Sequence, residues 1–369
     1  MGVVLTAAVV ATPAVAARGS GSMDPGKAAA LDAAVAQARQ HFNAPGMSLA
    51  IRLADGTVWT SVVGRAELPP DQWDVAADTA FSAGSITKTF VAAVVMQLVD
   101  EGKLSLNDPL SRWLPGYPNA ARIRIVNLLS HTSGVRDYFT NPSYESLVFG
   151  RPTHHWTTKE ILGLVQRPLY FKPGTGYHYS NTDFVLLAMV VKQVTGKSIG
   201  RQIRTRLLQP LGLDHSAFQD VEPVQLNSAH AYLRPNHQWV DWSDGTAYRP
   251  NTSAATVAWA AGAMLSTPAD LVLWAHALFA GTVVSSASLA QMVTFNRHDY
   301  GLGIERFFTT NDPATQEVMW GHSGSLRGFE AQMWYVPSRD VTITLMSNRG
   351  DQALRPIVQQ LLAILFDGS

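Results

Sequence analysis

Apolar residues fall at helical spacing across residues 28–42, an Ala-rich stretch that Asn43-Ala44-Pro45-Gly46 ends with breaker residues. Two short apolar-rich runs follow at 47–53 and 57–63. They are separated by Ala54-Asp55-Gly56, where Asp-Gly supplies the positive φ of a tight reversal, and together they predict a β-hairpin. Residues 86–99 are apolar almost all round and stop at Gly102, the pattern of a helix buried on every side. From there to about residue 255, helical stretches such as 183–194 alternate with loops rich in Pro and Gly, without a repeat period. Residues 329–336 and 341–347 read as strands flanking Pro337-Ser338-Arg339-Asp340, a turn by composition. The apolar stripe over 352–366 predicts a final helix lying on a neighbour.

Helix and hairpin at one end thus mirror hairpin and helix at the other. The economical arrangement is an α+β fold: one antiparallel β-sheet built from both ends of the chain, flanked by the N- and C-terminal helices, with a mainly helical region inserted. Residues 24–80 with 256–369 form the expected sheet domain and 81–255 the mainly helical one, and the cleft between them is the default site. The 369 residues, 46% hydrophobic and 15% charged, can bury a sizeable core. Lys plus Arg balances Asp plus Glu at 28 each, so no basic excess points to nucleic acid. Cysteine is absent, which removes disulfides, thiolate nucleophiles and Cys-based zinc sites.

Residues 3–10 form an apolar run broken only by Thr6, and Ala14-Val15-Ala16 precedes Arg18. The segment resembles a secretory signal peptide with a small-x-small cleavage site, although no Lys or Arg precedes the run. It is too short for a membrane-spanning helix, which needs about 20 apolar residues. Gly19-Ser20-Gly21-Ser22 reads as a flexible linker. Residues 1–23 are therefore set apart from the fold, and a secreted or periplasmic location is expected. No other segment is long and apolar enough to make a stable membrane span.

Three places carry candidate chemistry. Ser85 and Lys88 stand three residues apart at the start of the apolar helix, hence on one face. A lysine amine can take a serine proton only where desolvation or positive neighbours favour its neutral form. Read alone, the pair is as well a helix cap and a solvated lysine. Tyr179 and Asn181 sit at the mouth of a Gly-rich loop leading into another helix. A phenol is a candidate proton shuttle if cationic neighbours lower its pKa, and Asn can donate to a substrate carbonyl and accept from a lysine. The plain alternative is a packing tyrosine beside an N-cap. Third, Trp320-Gly321-His322-Ser323-Gly324-Ser325 runs into the strand at 329, reading either as a turn with a surface histidine or as an exposed edge that binds an extended substrate.

Ser85-x-x-Lys88, Tyr179-Ser180-Asn181 and His322-Ser323-Gly324 occur in the order and approximate spacing of the serine β-lactamase and penicillin-binding protein superfamily. The chain resembles in particular the class C β-lactamases, the soluble D-alanyl-D-alanine carboxypeptidases and their esterase relatives. Residues 102–109, 128–134 and 261–271 also look like this family, so the resemblance runs from about residue 28 to the end. It implies that Ser85 is the acylated nucleophile, Lys88 its activating partner, Tyr179 the proton shuttle and Asn181 a substrate-amide contact. It also implies that the N–H groups of Ser85 and Ser325 form an oxyanion hole and that the hydroxyls of Ser323 and Ser325 reach a substrate carboxylate, in acyl transfer without metal or cofactor. The box beginning with His322, where class C β-lactamases have Lys, points to a carboxypeptidase rather than an efficient β-lactamase.

One departure matters. After Tyr300-Gly301-Leu302-Gly303, carboxypeptidases of this type place a basic residue for the substrate's terminal carboxylate, whereas here Glu305 comes first and Arg306 follows. Arg306 reaches the carboxylate through a bulge, Arg327 substitutes for it, or Glu305 receives a cationic group. His131 is expected to pack rather than to catalyse. The leading expectation is a D-alanyl-D-alanine carboxypeptidase or related D-peptidase. An esterase or acyltransferase of the same fold and a slow-turnover penicillin-binding module are the alternatives, and the expected partners are a D-Ala-terminated peptide, a β-lactam or an ester.

Overall fold

The computed structural model describes residues 21–219 and 226–367; the leader-like residues up to 20 lie outside the described residues. Helix α1 (Pro25–His41) starts earlier than its apolar pattern. The Asp24 side chain accepts from the Lys27 amide (2.9 Å), and Pro25 occupies a first-turn position that needs no N–H. Strands β1 (Gly46–Arg52) and β2 (Val58–Glu67) form the expected hairpin, with Gly56 at φ 88° in its turn, and a short β3 (Trp73–Asp74) follows. Helix α2 (Thr87–Asp100) is buried nearly all round, as its composition requires. Helices α3 (Asn181–Thr195) and α4 (Pro268–Phe279) precede β4 (Glu305–Phe308), β5 (Val318–Leu326), β6 (Phe329–Val336), β7 (Val341–Ser347) and α5 (Arg355–Phe366). Helix α5 begins three residues later than its stripe suggests. Pro356 suits a first turn but not a helix interior.

The strands make one antiparallel sheet in the order β3-β2-β1-β7-β6-β5-β4. Its central seam joins the two ends of the chain, with β1 and β7 in register from Met47 opposite Ser347 to Arg52 opposite Thr342. Fully buried Asn348 locks that seam: its Oδ1 accepts from the Gly46 amide (2.7 Å), and its Nδ2 donates to the carbonyls of Arg65 and Ala66 (3.1 Å each). On one face α1 and α5 bring Leu31, Val35, Leu361 and Leu362 against Leu49, Ile343 and Leu345. The other face meets α4 and is continuous with the core around α2, where Phe90 stacks on Trp274 (centroids 4.0 Å apart). The architecture is the α+β arrangement the pattern predicts.

Of the two readings of the Gly- and Ser-rich segment at 320–325, the turn with a surface histidine is overturned: the segment is a strand and its histidine is buried. Its glycines serve close approach: a Cβ on Gly321 would lie 1.9 Å from the Met333 carbonyl oxygen, and one on Gly324 2.0 Å from that of Ala83. Among the described residues no helix is long and apolar enough to cross a membrane.

Leu361 carries no exposed surface in the layer between α5 and the sheet. Leu361→Ala is expected to destabilise the fold by about 2–5 kcal/mol, read as a lower urea midpoint at an unchanged m-value.

Candidate active site

The chain enters α2 through a single 3-10 turn (Gly84–Ile86), and Gly84 holds φ 51° there. That backbone lies against β5: a Cβ on Gly84 would sit 2.6 Å from the Ser325 nitrogen, and one on Gly324 3.3 Å from the Ser85 nitrogen. Only residues without side chains allow this contact, which brings the amides of Ser85 and Ser325 close together. The pairing of β4 with β5 ends at Gly321 opposite Glu305, so the rest of β5 has no strand beside it on that edge among the described residues. The Ser323 N–H points to this edge, meeting Glu305 Oε2 at 3.4 Å, and the N–H two residues on points the same way.

Ser85 Oγ lies 2.9 Å from both Lys88 Nζ and the Tyr179 hydroxyl. Lys88 is fully buried, and its Nζ also reaches Asn181 Oδ1 and the Ala261 carbonyl, both at 2.8 Å. Those two oxygens cannot donate. A neutral amine therefore gives them its two N–H bonds and turns its lone pair to the Ser85 hydroxyl. Burial lowers the amine to about 7 against the opposing pull of Asp137, Glu305 and Asp183. The Asn181 amide is oriented by its Nδ2 bond to Asp137 (2.9 Å). Burial pushes the Tyr179 phenol well above 10, so it stands as a proton donor and not as a phenolate. No cation lowers it, contrary to the condition placed on it above.

Behind these groups runs a buried chain. His131 Nδ1 lies 3.1 Å from Asp183 and its Nε2 3.2 Å from the Tyr300 hydroxyl, which is 3.1 Å from His322 Nε2. Burial lowers both histidines, which favours their neutral forms, and raises the Asp183 carboxyl. His322 Nδ1 bonds to the Ser323 carbonyl and so carries the proton. Tyr300 then donates to His322 Nε2 and accepts from His131. His131 is buried within this chain, which ties the segment before α3 to β5.

The cleft measures about 340 Å³ and is lined by Ser85, Tyr179, Asn181, Glu305, His322 and Ser323, with Ser325 at its rim. Of the residues named from sequence, Ser85, Lys88, Tyr179, Asn181, His322, Ser323, Gly324 and Ser325 are brought together. Arg306 is not. Successive strand residues face opposite ways, and with Glu305 turned to the cleft Arg306 turns away, where it pairs with Asp299. Arg327 pairs with Glu145 (2.6 Å) and covers Phe149 and Trp242. Sequence reasoning missed Asp137, the Ala261 carbonyl, Glu330 and Arg355. Arg355 forms an ion pair with Glu305, and Glu330, which burial raises to about 7, accepts from the Ser325 hydroxyl (2.9 Å).

A serine held between a buried lysine and a tyrosine, beside a glycine-bearing strand edge on an antiparallel sheet, is set in a fold shared with β-lactamases and penicillin-binding proteins. The chain belongs to the β-lactamase family, whose model matches residues 31–363. It is 28% identical over 347 residues to the unguisins hydrolase ungD' of Aspergillus campestris, covering 85% of this chain and 60% of that protein. The chain spans about 60% of the length of the curated relatives it matches. Among solved structures it resembles a D-stereospecific amidohydrolase from Streptomyces sp., with 28% identity, a TM-score of 0.75 and coverage of 94% of this chain and 100% of that one. It also resembles the D-amino acid amidase of Ochrobactrum anthropi, with 25% identity, a TM-score of 0.77 and coverage of 92% and 99%.

Because the lone pair is free only on the neutral amine, the rate of Ser85 acylation by a saturating ester probe is expected to fall about tenfold per pH unit below about 7 and to level off above it. Asp137 favours the charged amine, so Asp137→Asn should move that acid limb to lower pH in a stopped-flow pH series.

Proposed function

We propose that this chain is an exported serine amidohydrolase that cleaves an amide beside a D-configured residue through an acyl-Ser85 intermediate. The observation that carries the reading is the double contact on Ser85 Oγ, with Lys88 and Tyr179 each at 2.9 Å. Neutral Lys88 takes the hydroxyl proton as Oγ forms its bond to the substrate carbonyl carbon. The N–H groups of Ser85 and Ser325 donate to the oxygen that becomes negative. As the carbon–nitrogen bond breaks, the leaving nitrogen takes the Tyr179 proton, and the Lys88 ammonium, 4.8 Å from the centre of the phenol ring, returns a proton to the phenolate. Water then attacks the ester by the reverse proton path, giving the free acid and the original serine.

The D-configuration rests on the likeness to a D-stereospecific amidohydrolase and a D-amino acid amidase. The carboxypeptidase form of the reading needs a cation for a terminal carboxylate, and Arg306 lies outside the cleft. The leader-like residues 1–17 support export.

Intact-protein mass spectrometry tests the proposal. Incubation with penicillin or with a D-phenylalanine ester should add one acyl group to the wild type and none to Ser85→Ala; persistent labelling of that variant rejects Ser85. Lys88→Ala should slow acylation by about 10²–10⁴-fold. D-Phenylalanine amide should be hydrolysed in preference to its L-isomer. Release of D-Ala from a D-Ala-D-Ala peptide at a higher kcat/KM than hydrolysis of the amide would favour the carboxypeptidase instead.

A further inference from the structure

We propose that the site selects acyl donors bearing a free, protonated amine, and that the carboxylate of Glu305 is the group that receives it. The inference deepens the amidohydrolase reading and rests on it.

Among the described residues lining the cleft, Glu305 is the one charged side chain, since buried His322 is held neutral. Both of its oxygens lie 3.1 Å from Ser323 Oγ. A hydroxyl has one proton to give, and Ser323 gives it to Glu305. Ser325 does the same on its own side, donating to Glu330. The two hydroxyls expected to grip a substrate carboxylate are therefore engaged as donors to the protein's own carboxylates, and they offer incoming groups only lone pairs. A carboxylate arriving there would meet acceptors and a like charge. An ammonium would bring three donors to a surface of acceptors.

Arg355 does not reverse this polarity. Its guanidinium pairs with Glu305 Oε2 and lies 3.2 Å from Ser323 Oγ, but it lines the two neighbouring hollows and not the cleft that holds Ser85. The ion pair is thus oriented, with its negative end toward the nucleophile and its positive end behind. Oε1 is the oxygen without Arg355, and its other neighbour is His322 Nδ1 at 3.5 Å, whose proton is directed to the Ser323 carbonyl. This oxygen retains lone-pair capacity for a ligand. Arg306, the cation next in sequence, is held on the opposite face by Asp299.

The test compares three matched D-phenylalanine p-nitroanilides: one with a free amine, one N-acetylated and one N-succinylated. The wild type should prefer the free amine over the N-acetyl compound by roughly 10- to 100-fold in kcat/KM, the range for a hydrogen bond to a charged group. The anionic succinyl compound should be the poorest of the three. In Glu305→Gln the ratio of free-amine to N-acetyl kcat/KM should fall toward one, and the penalty on the succinyl compound should shrink. Acylation by the uncharged probe p-nitrophenyl acetate, followed by intact mass, reports that the variant is folded; the wild-type ranking decides the matter even if it is not. Equal or reversed ranking in the wild type, or a folded Glu305→Gln that keeps the full preference, overturns this inference alone. Failure of every substrate, the acetate ester included, to acylate Ser85 overturns it together with the amidohydrolase reading.

Discussion

The site depends on one buried nitrogen. Taking the Lys88 ammonium out of water is costly unless the proton is released, and the protein provides full burial together with two carbonyl-type acceptors that suit the neutral amine as well as the charged one. The apolar surface of α2 supplies the desolvation. Asn181 supplies one acceptor and the Ala261 carbonyl the other, while Asp137 fixes Asn181. These groups come from parts of the chain far apart in sequence. Each acts on the serine only by controlling where this amine keeps its hydrogens.

The second constraint is contact between backbones. Gly84 and Gly324 let the turn before α2 touch β5, and the buried run from Asp183 through His131 and Tyr300 to His322 joins the same strand to the start of α3. Ser85, Tyr179 and the strand edge are thus referred to one another by buried polar contacts. A histidine in the third box contributes as a neutral link: its two ring nitrogens are engaged by Tyr300 and by the Ser323 carbonyl.

The outer frame was legible because its signals are local. Asp55-Gly56 marks one hairpin, residues 337–340 the other, and the apolar stripes of α2 and α5 are visible in isolation. Ser85, Lys88, Tyr179 and Asn181 were found by order and spacing. The strand at 318–326 was legible only as one of two readings, because Gly and Ser disfavour strands unless a neighbouring backbone needs the room, and that neighbour is Ala83, remote in sequence. Asp137, Arg355 and Glu330 carry no spacing signal, since each acquires its role only by folding against Asn181, Glu305 or Ser325. Arg306 was expected to reach the cleft only through a bulge, but β4 pairs with β5 in unbroken register and Arg306 turns away to Asp299.

The β1–β7 seam carries a consequence for how the enzyme comes into being. Met47 finds its partner only when Ser347 has been synthesised, so the seam at the centre of the sheet cannot form until nearly the whole chain has been made. Closing a loop of that length is also a slow, late event. The sheet therefore closes late, once the two ends of the chain have met.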